Sequence, residues 1–180
     1  MQCTNTRKMT TVKPIAKILL QLSRLLALLY FATFVYALIS LANKSSWVLL
    51  HDQNRQFIIY LPFTHIPFLL GFNNPVYIWL EFLPMFILYA FFFLLLSYVF
   101  EVFAQERLFT HKGYNYLRVF YWANFTVPVM MLFLTEVFSE ASFDAWGIVG
   151  LHLLLGVFIF FMAAIFKQGL KLQDEQDLIF

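Results

Sequence analysis

The sequence predicts an all-α, polytopic integral membrane protein of four transmembrane helices, and three observations predict it. Hydrophobic residues make up 62% of the chain and charged residues 12%, against roughly 45–50% and about 25% in soluble domains. Four apolar stretches reach the roughly 17–25 residues that a bilayer span requires. The basic residues fall mostly on one side of those stretches. A soluble fold could not cover this much apolar surface with so few charges, which excludes a purely soluble binding module.

In chain order the predicted spans are Leu25–Ala42, Phe82–Phe100, Val119–Thr135 and Ala145–Phe166. The third is the weakest, being short and interrupted by Asn124 and Pro128. Residues 1–180 thus read as one four-helix membrane domain, with residues 167–180 as a tail. A cleaved signal at the first span is disfavoured. Its apolar core is about 18 residues, beyond the 7–15 of a signal core, although Ser40–Ala42 offers a small-residue site.

Charge orients the spans. Arg7, Lys8, Lys13, Lys17 and Arg24 precede the first; Arg107, Lys112 and Arg118 lie between the second and third; Lys167 and Lys171 follow the fourth. The loop between the first two carries Lys44 and Arg55, and the last loop carries only Glu136, Glu140 and Asp144. Basic residues near span ends resist translocation. Both termini are therefore expected in the cytoplasm, with a long first extracytoplasmic loop, Asn43–Glu81. Trp47, Trp79 and Trp146 fall at the outer ends of spans and Trp122 and Tyr121 at an inner end, the headgroup depths that amphipathic rings favour.

Pro62, Pro67, Pro75 and the turn signal "GFNNP" rule out a continuous helix through the long loop. The stretch "QFIIYL" favours an extended segment on its β-branched and aromatic content. Being too apolar for disorder, the loop is expected to fold back on the leaflet or cap the bundle.

Chemistry-bearing patterns are sparse. Cys3 is the single cysteine, so no internal disulfide or thiolate cluster forms. Of the four histidines only His152 lies within a span, which leaves bis-histidine haem unsupported. No zinc spacing and no phosphate loop occurs. No cofactor is expected. His152, Gly156 and Ala163 share one helical face, and small residues mark helix contacts in membranes, so that face is expected to point inward. A titratable group at that depth is a functional candidate. Two readings stand: a path for protons or cations from the acids Glu136, Glu140 and Asp144 to His152, or a neutral histidine hydrogen-bonded to Asn124 or Thr126. Pro128 cannot donate to the Asn124 carbonyl, which frees a polar group beside it. Glu136 and Glu140, four apart, read as a solvated acidic rim. No nucleophile is paired with a base and an orienting group, so no enzyme is expected.

Two stretches carry a more specific pattern, "VFEVFAQERLFTHKGYNYLRVF" (Val99–Phe120) and "IFKQGLKLQDEQDLIF" (Ile165–Phe180). The first holds Phe109 and Thr110, then Leu117 and Arg118; the second spaces Phe166, Gly169, Leu172, Glu175 and Leu178. With four spans and a long first outer loop, these phrases resemble the bacterial membrane-protein family catalogued as domain of unknown function 2975. Glu106, Gly113, Ile179 and Phe180 depart from the family pattern. The resemblance implies a multi-pass protein of the bacterial cytoplasmic (inner) membrane and supplies no activity. It also implies partnership with a small cytoplasmic regulator of helix-turn-helix type. From the residues themselves, Thr110 is an N-cap for the helix that feeds the third span, and Gly169 is a place where the last helix can end or bend. Lys167 and Lys171 suit anchoring at headgroups.

The leading functional expectation is a non-enzymatic accessory or regulatory protein. Its docking face would comprise Phe109, Thr110, Leu117, Arg118, Gly169, Leu172, Glu175 and Leu178. The alternative is a small proton, cation or small-molecule transporter or channel component built on His152 and Asn124. The partners expected are the lipid bilayer, a cytoplasmic regulator and a second copy of the chain, with no direct nucleic-acid binding.

Overall fold

The computed structural model describes residues 5–43, 48–51, 55–138 and 146–177. Its elements are α1 (Asn5–Ala42), β1 (Val48–His51), β2 (Gln56–Tyr60), β3 (Pro67–Phe72), α2 (Pro75–Tyr77), a π-helical turn (Ile78–Phe82), α3 (Leu83–Ala104), α4 (His111–Phe138) and α5 (Trp146–Asp177). The α2 turn, the π turn and α3 run on as one helical rod, Pro75–Ala104. Among the described residues four helices are long and apolar enough to cross a membrane, and the chain is a multi-pass membrane protein on that ground.

The helices alternate in direction, as side-chain pairs show. Along α3 and α4, Phe92 meets Phe120, Tyr98 stacks on Tyr116 and Glu101 meets Lys112. Along α4 and α5, Asn124 meets His152 and Tyr121 meets Phe160. In each series one number rises as the other falls. The bundle thus has a sheet end, where α1 stops and α5 starts, and a tail end, where α1 starts and α5 stops.

Helix α1 packs on α3, and Ala16, Leu20, Ser23, Ala27, Ala37 and Ser40 of α1 are buried. The first four are spaced four, three and four apart and the last two three apart, and the small side chains among them allow close backbone approach. The opposite face exposes Ile15, Ile18, Leu22, Leu25, Leu28 and Ile39. An apolar exposed face of this extent suits contact with lipid or with another protein.

The sheet end differs from a pure helical bundle. The long loop forms a three-stranded antiparallel meander, β1-β2-β3, which the reading of "QFIIYL" anticipates in β2 alone. Its alternation buries Phe57 and Ile59 against Ala37, Phe82, Leu83 and Phe86, so the sheet caps α1 and the start of the α3 rod. A β-carbon on Gly71 would lie 2.5 Å from the Phe57 ring; only glycine lets β3 pass there. The Tyr36 hydroxyl donates to the Tyr60 carbonyl and ties the sheet to α1. Asn74 then caps α2, its Oδ1 accepting from the Val76 amide at 2.9 Å, with Pro75 at the first turn.

The helices run beyond the predicted spans: residues 5–24 are helical, and the second apolar rod starts at Pro75, ahead of Phe82. Helix α5 continues through Gly169 to Asp177. With 38 residues, α1 is about 57 Å long at ~1.5 Å per residue, against a hydrocarbon core of about 30 Å. Both α1 and α5 therefore extend past α3 and α4 at the tail end.

Candidate functional site

A cavity of about 610 Å³ lies between the α3 rod, α4 and α5, within the few hundred to about 1,000 Å³ typical of ligand sites. The rod contributes Tyr77, Glu81, Tyr89 and Phe92; α4 contributes Phe120, Asn124, Pro128 and Glu136; α5 contributes Trp146, Val149 and His152. It runs from the sheet end, at Glu81, Glu136 and Trp146, to Phe92 and Phe120 in mid-bundle.

The deep polar pair is fixed by the local sequence. Asn124 is buried in α4, and its Nδ2 donates to the Phe120 carbonyl one turn back at 2.8 Å. That bond orients the amide so that Oδ1 faces α5, where it lies 2.8 Å from His152 Nδ1. Because Oδ1 can only accept, His152 Nδ1 carries the proton in this arrangement and Nε2 is the free acceptor. Phe92 and the imidazole are nearly perpendicular at 5.2 Å between ring centres, and Tyr89 lies at 6.1 Å. Gly156, one turn on, lies against Phe125 of α4, where a β-carbon would come within 2.7 Å of the ring. Ala163 is buried further along the same face. The inward face expected from His152, Gly156 and Ala163 is thus the observed one. Thr126 instead donates to the Trp122 carbonyl at 2.9 Å.

Sequence reasoning missed Glu81. It sits in the π turn, where Leu83 donates to the Ile78 carbonyl. Pro84 lacks an amide hydrogen, so it cannot donate to the Leu80 carbonyl, and the chain widens by one residue ahead of it. Glu81 lines the cavity, and its Oε1 is buried with no hydrogen bond from any described residue. The available signal was an acid at the edge of an apolar run, three residues before a proline.

At the tail end, polar groups are satisfied. Glu101 takes Arg24 of α1 at 3.2 Å on one oxygen and Lys112 of α4 at 3.1 Å on the other. Lys112 also lies 5.3 Å above the Tyr116 ring. Thr110 caps α4 as its position predicts, with Oγ1 accepting from the Gly113 amide at 3.0 Å. Of the predicted docking residues, Leu117 is fully buried in a core with Val99, Val102, Phe120, Ile159, Ala163 and Phe166. Phe109 packs edge-on against Phe166 and over Gly169, where a β-carbon would fall 2.6 Å from the Phe109 ring. The structure therefore brings Phe109, Leu117 and Gly169 into one internal cluster. Arg118, Leu172 and Glu175 are outside it; Leu172 and Glu175 are exposed, and Glu175 lies 3.7 Å from Lys171. Glu140, Asp144, Trp47 and Leu178 lie outside the described residues.

Among the described residues no three of His, Cys, Asp and Glu converge as a metal-binding group. No protein-family model, no curated protein and no solved structure matches the chain.

Proposed function

We propose that the protein is a non-enzymatic membrane protein that binds a small molecule in the cavity between α3, α4 and α5, as a transporter or channel component does. The observation that carries this is the cavity itself, which is apolar-walled and ends on the His152–Asn124 pair. A structural histidine has no need of so large a space beside it. His152 Nε2 is an acceptor at depth, and few groups at that depth hold a proton reversibly. In proteoliposomes, the purified protein is expected to pass protons or cations, with flux reduced by His152→Ala. No flux under any imposed gradient, together with no ligand-induced rise in melting temperature, rejects the reading.

A second reading has its own support. Phe109 of the inter-helix loop, Phe166 and Gly169 interlock, which joins that loop and the overhang of α5 into one surface. On this reading the surface receives a cytoplasmic regulator of helix-turn-helix type, in keeping with the resemblance to the domain-of-unknown-function 2975 family. Deleting residues 174–180 is then expected to abolish co-purification of that regulator without affecting membrane insertion. Unchanged co-purification rejects it. Both readings assume N- and C-termini in the cytoplasm, on the asymmetry of basic residues, and a bacterial inner membrane, on the family resemblance alone. Labelling of Cys3 by an impermeant maleimide only after membrane disruption is the expected outcome.

A further inference from the structure

We infer that the cavity selects an amphipathic organic cation and that Glu81 supplies the counter-charge. The inference rests on the ligand-binding reading above and names its ligand class.

Three features converge on it. The first is sign. Among the described residues the cavity lining contains the acids Glu81 and Glu136 and no lysine or arginine. Carboxylates in the lining repel an anion, and at low local dielectric that repulsion is strong. The second is the wall. Tyr77, Tyr89, Phe92 and Trp146 line the space with aromatic side chains, and ring faces attract cations while their bodies accept apolar bulk. The third is the state of Glu81. Its Oε1 is buried and receives no hydrogen bond from any described residue. Leaving such an oxygen unpaired is costly, and more so for a charge. Buried polar groups without partners are rare and call for an explanation. The contrast with Glu101, whose two oxygens are both taken by bases, shows that this chain can neutralise an acid where neutralisation is all that is required.

The π turn fits the same role. Such turns insert one extra residue into a helix and recur at functional sites. Here the turn is where Glu81 joins the cavity lining, and Pro84 keeps the ladder from closing behind it. Bare inorganic cations fit less well, because the lining is mostly hydrocarbon and aromatic, and the remaining oxygen donors do not form a ligand group. The ligand chemistry is thus an ammonium or similar cation on an apolar body, carried by a free amine or by a lipid headgroup.

The test uses the full-length protein in a neutral detergent, with empty micelles subtracted. Tetraphenylphosphonium and tetraphenylborate have nearly the same size and opposite charge. The phosphonium is expected to bind at least tenfold more tightly than the borate. Glu81→Gln should weaken phosphonium binding about tenfold or more, in line with the loss of a charged partner. Glu81→Asp should restore most of it, with circular dichroism and gel-filtration profiles unchanged in both variants. Ala123→Trp, which fills the cavity, should abolish binding of either ion. Equal binding of both ions, insensitive to Glu81→Gln yet lost in Ala123→Trp, overturns the cation assignment and leaves the cavity reading standing. Phosphonium binding unchanged by Ala123→Trp, or no binding of either ion, overturns the cavity reading itself. Repeating the titration in phosphatidylglycerol nanodiscs with and without phosphatidylethanolamine separates the sources. Competition by the aminolipid assigns the site to a headgroup, and unchanged affinity assigns it to a free amine.

Discussion

The two halves of the α3–α4–α5 bundle are built from the same three helices and solve opposite problems. Toward the tail end, Val99, Val102, Leu117, Phe120, Ile159, Ala163 and Phe166 close into a continuous core. Glycines there are filled in by neighbours: Gly113 by Val102 and Gly169 by Phe109. Toward the sheet end the same helices part around about 610 Å³ of space, with a proline in α4 and a π turn in the α3 rod. The lesson is that the separation is not a failure of packing. A chain that packs one half tightly leaves the other open where Glu81, Asn124 and His152 are, the residue types that cost most in lipid.

The largest expected effect falls on the packed half. Leu117 is fully buried, and Leu117→Ala leaves a void that the surrounding rings cannot fill. Soluble proteins lose about 2–5 kcal/mol in such changes. In lipid the transfer part of that loss is smaller, because tails are as apolar as leucine, while the lost packing remains. A destabilisation of about 2 kcal/mol is expected, read as a lower unfolding midpoint in a detergent titration. Trimming Met131 on the cavity side to Ala should cost far less, since that side chain already borders space. Equal costs would erase the distinction between the halves.

An intermediate effect tests the boundary between them. His152→Ala leaves the Asn124 oxygen without its partner. Interhelical hydrogen bonds in membranes are worth about 0.6 kcal/mol on average and up to about 2. About 1 kcal/mol of destabilisation is therefore expected in the same titration, with His152→Gln recovering part of it by donating to the same oxygen. A loss as large as that of Leu117→Ala would make the pair a structural pin and not the floor of a site.

How much of this was legible in the sequence follows from what each feature depends on. The four crossings were legible because each is a local property of composition, and the N-cap at Thr110 because capping spans three residues. The extended "QFIIYL" segment was legible from propensity, but the three-stranded sheet was not, since β1 and β3 carry weaker local signals and find their partners only across turns. Helix ends were not legible for one reason: span length measures the bilayer, and helices do not stop where the bilayer does. Residues 5–24 and 167–177 are helical because propagation beyond a formed span is easy. In the site, the inward face of His152 showed in its spacing to Gly156 and Ala163, and the alternative of a bond to Asn124 is the one observed. Glu81 was hidden because nothing local distinguishes an acid at a loop boundary from one turned inward by a π turn.

The smallest expected effect lies in the tail, where a visible ion pair invites more weight than it can bear. Lys171 and Glu175 are one turn apart at 3.7 Å, and their side chains are 80% and 57% exposed. The lysine comes first, the weaker order for such a pair, which contributes at most a few tenths of a kcal/mol. Salt reduces it further. What holds this last stretch of α5 helical is its continuity with the crossing, which supplies the nucleus, and the wedge of Phe109 over Gly169. Glu175→Ala is therefore expected to change the unfolding midpoint by no more than a few tenths of a kcal/mol and to leave amide exchange slow through Leu170. Gly169→Val, by contrast, drives a methyl into the Phe109 ring and should speed exchange from that residue onward. If Glu175→Ala alone frees the tail, the ion pair and not the Phe109 wedge organises the end of α5, and the packed half of the bundle ends one turn earlier than its core residues indicate.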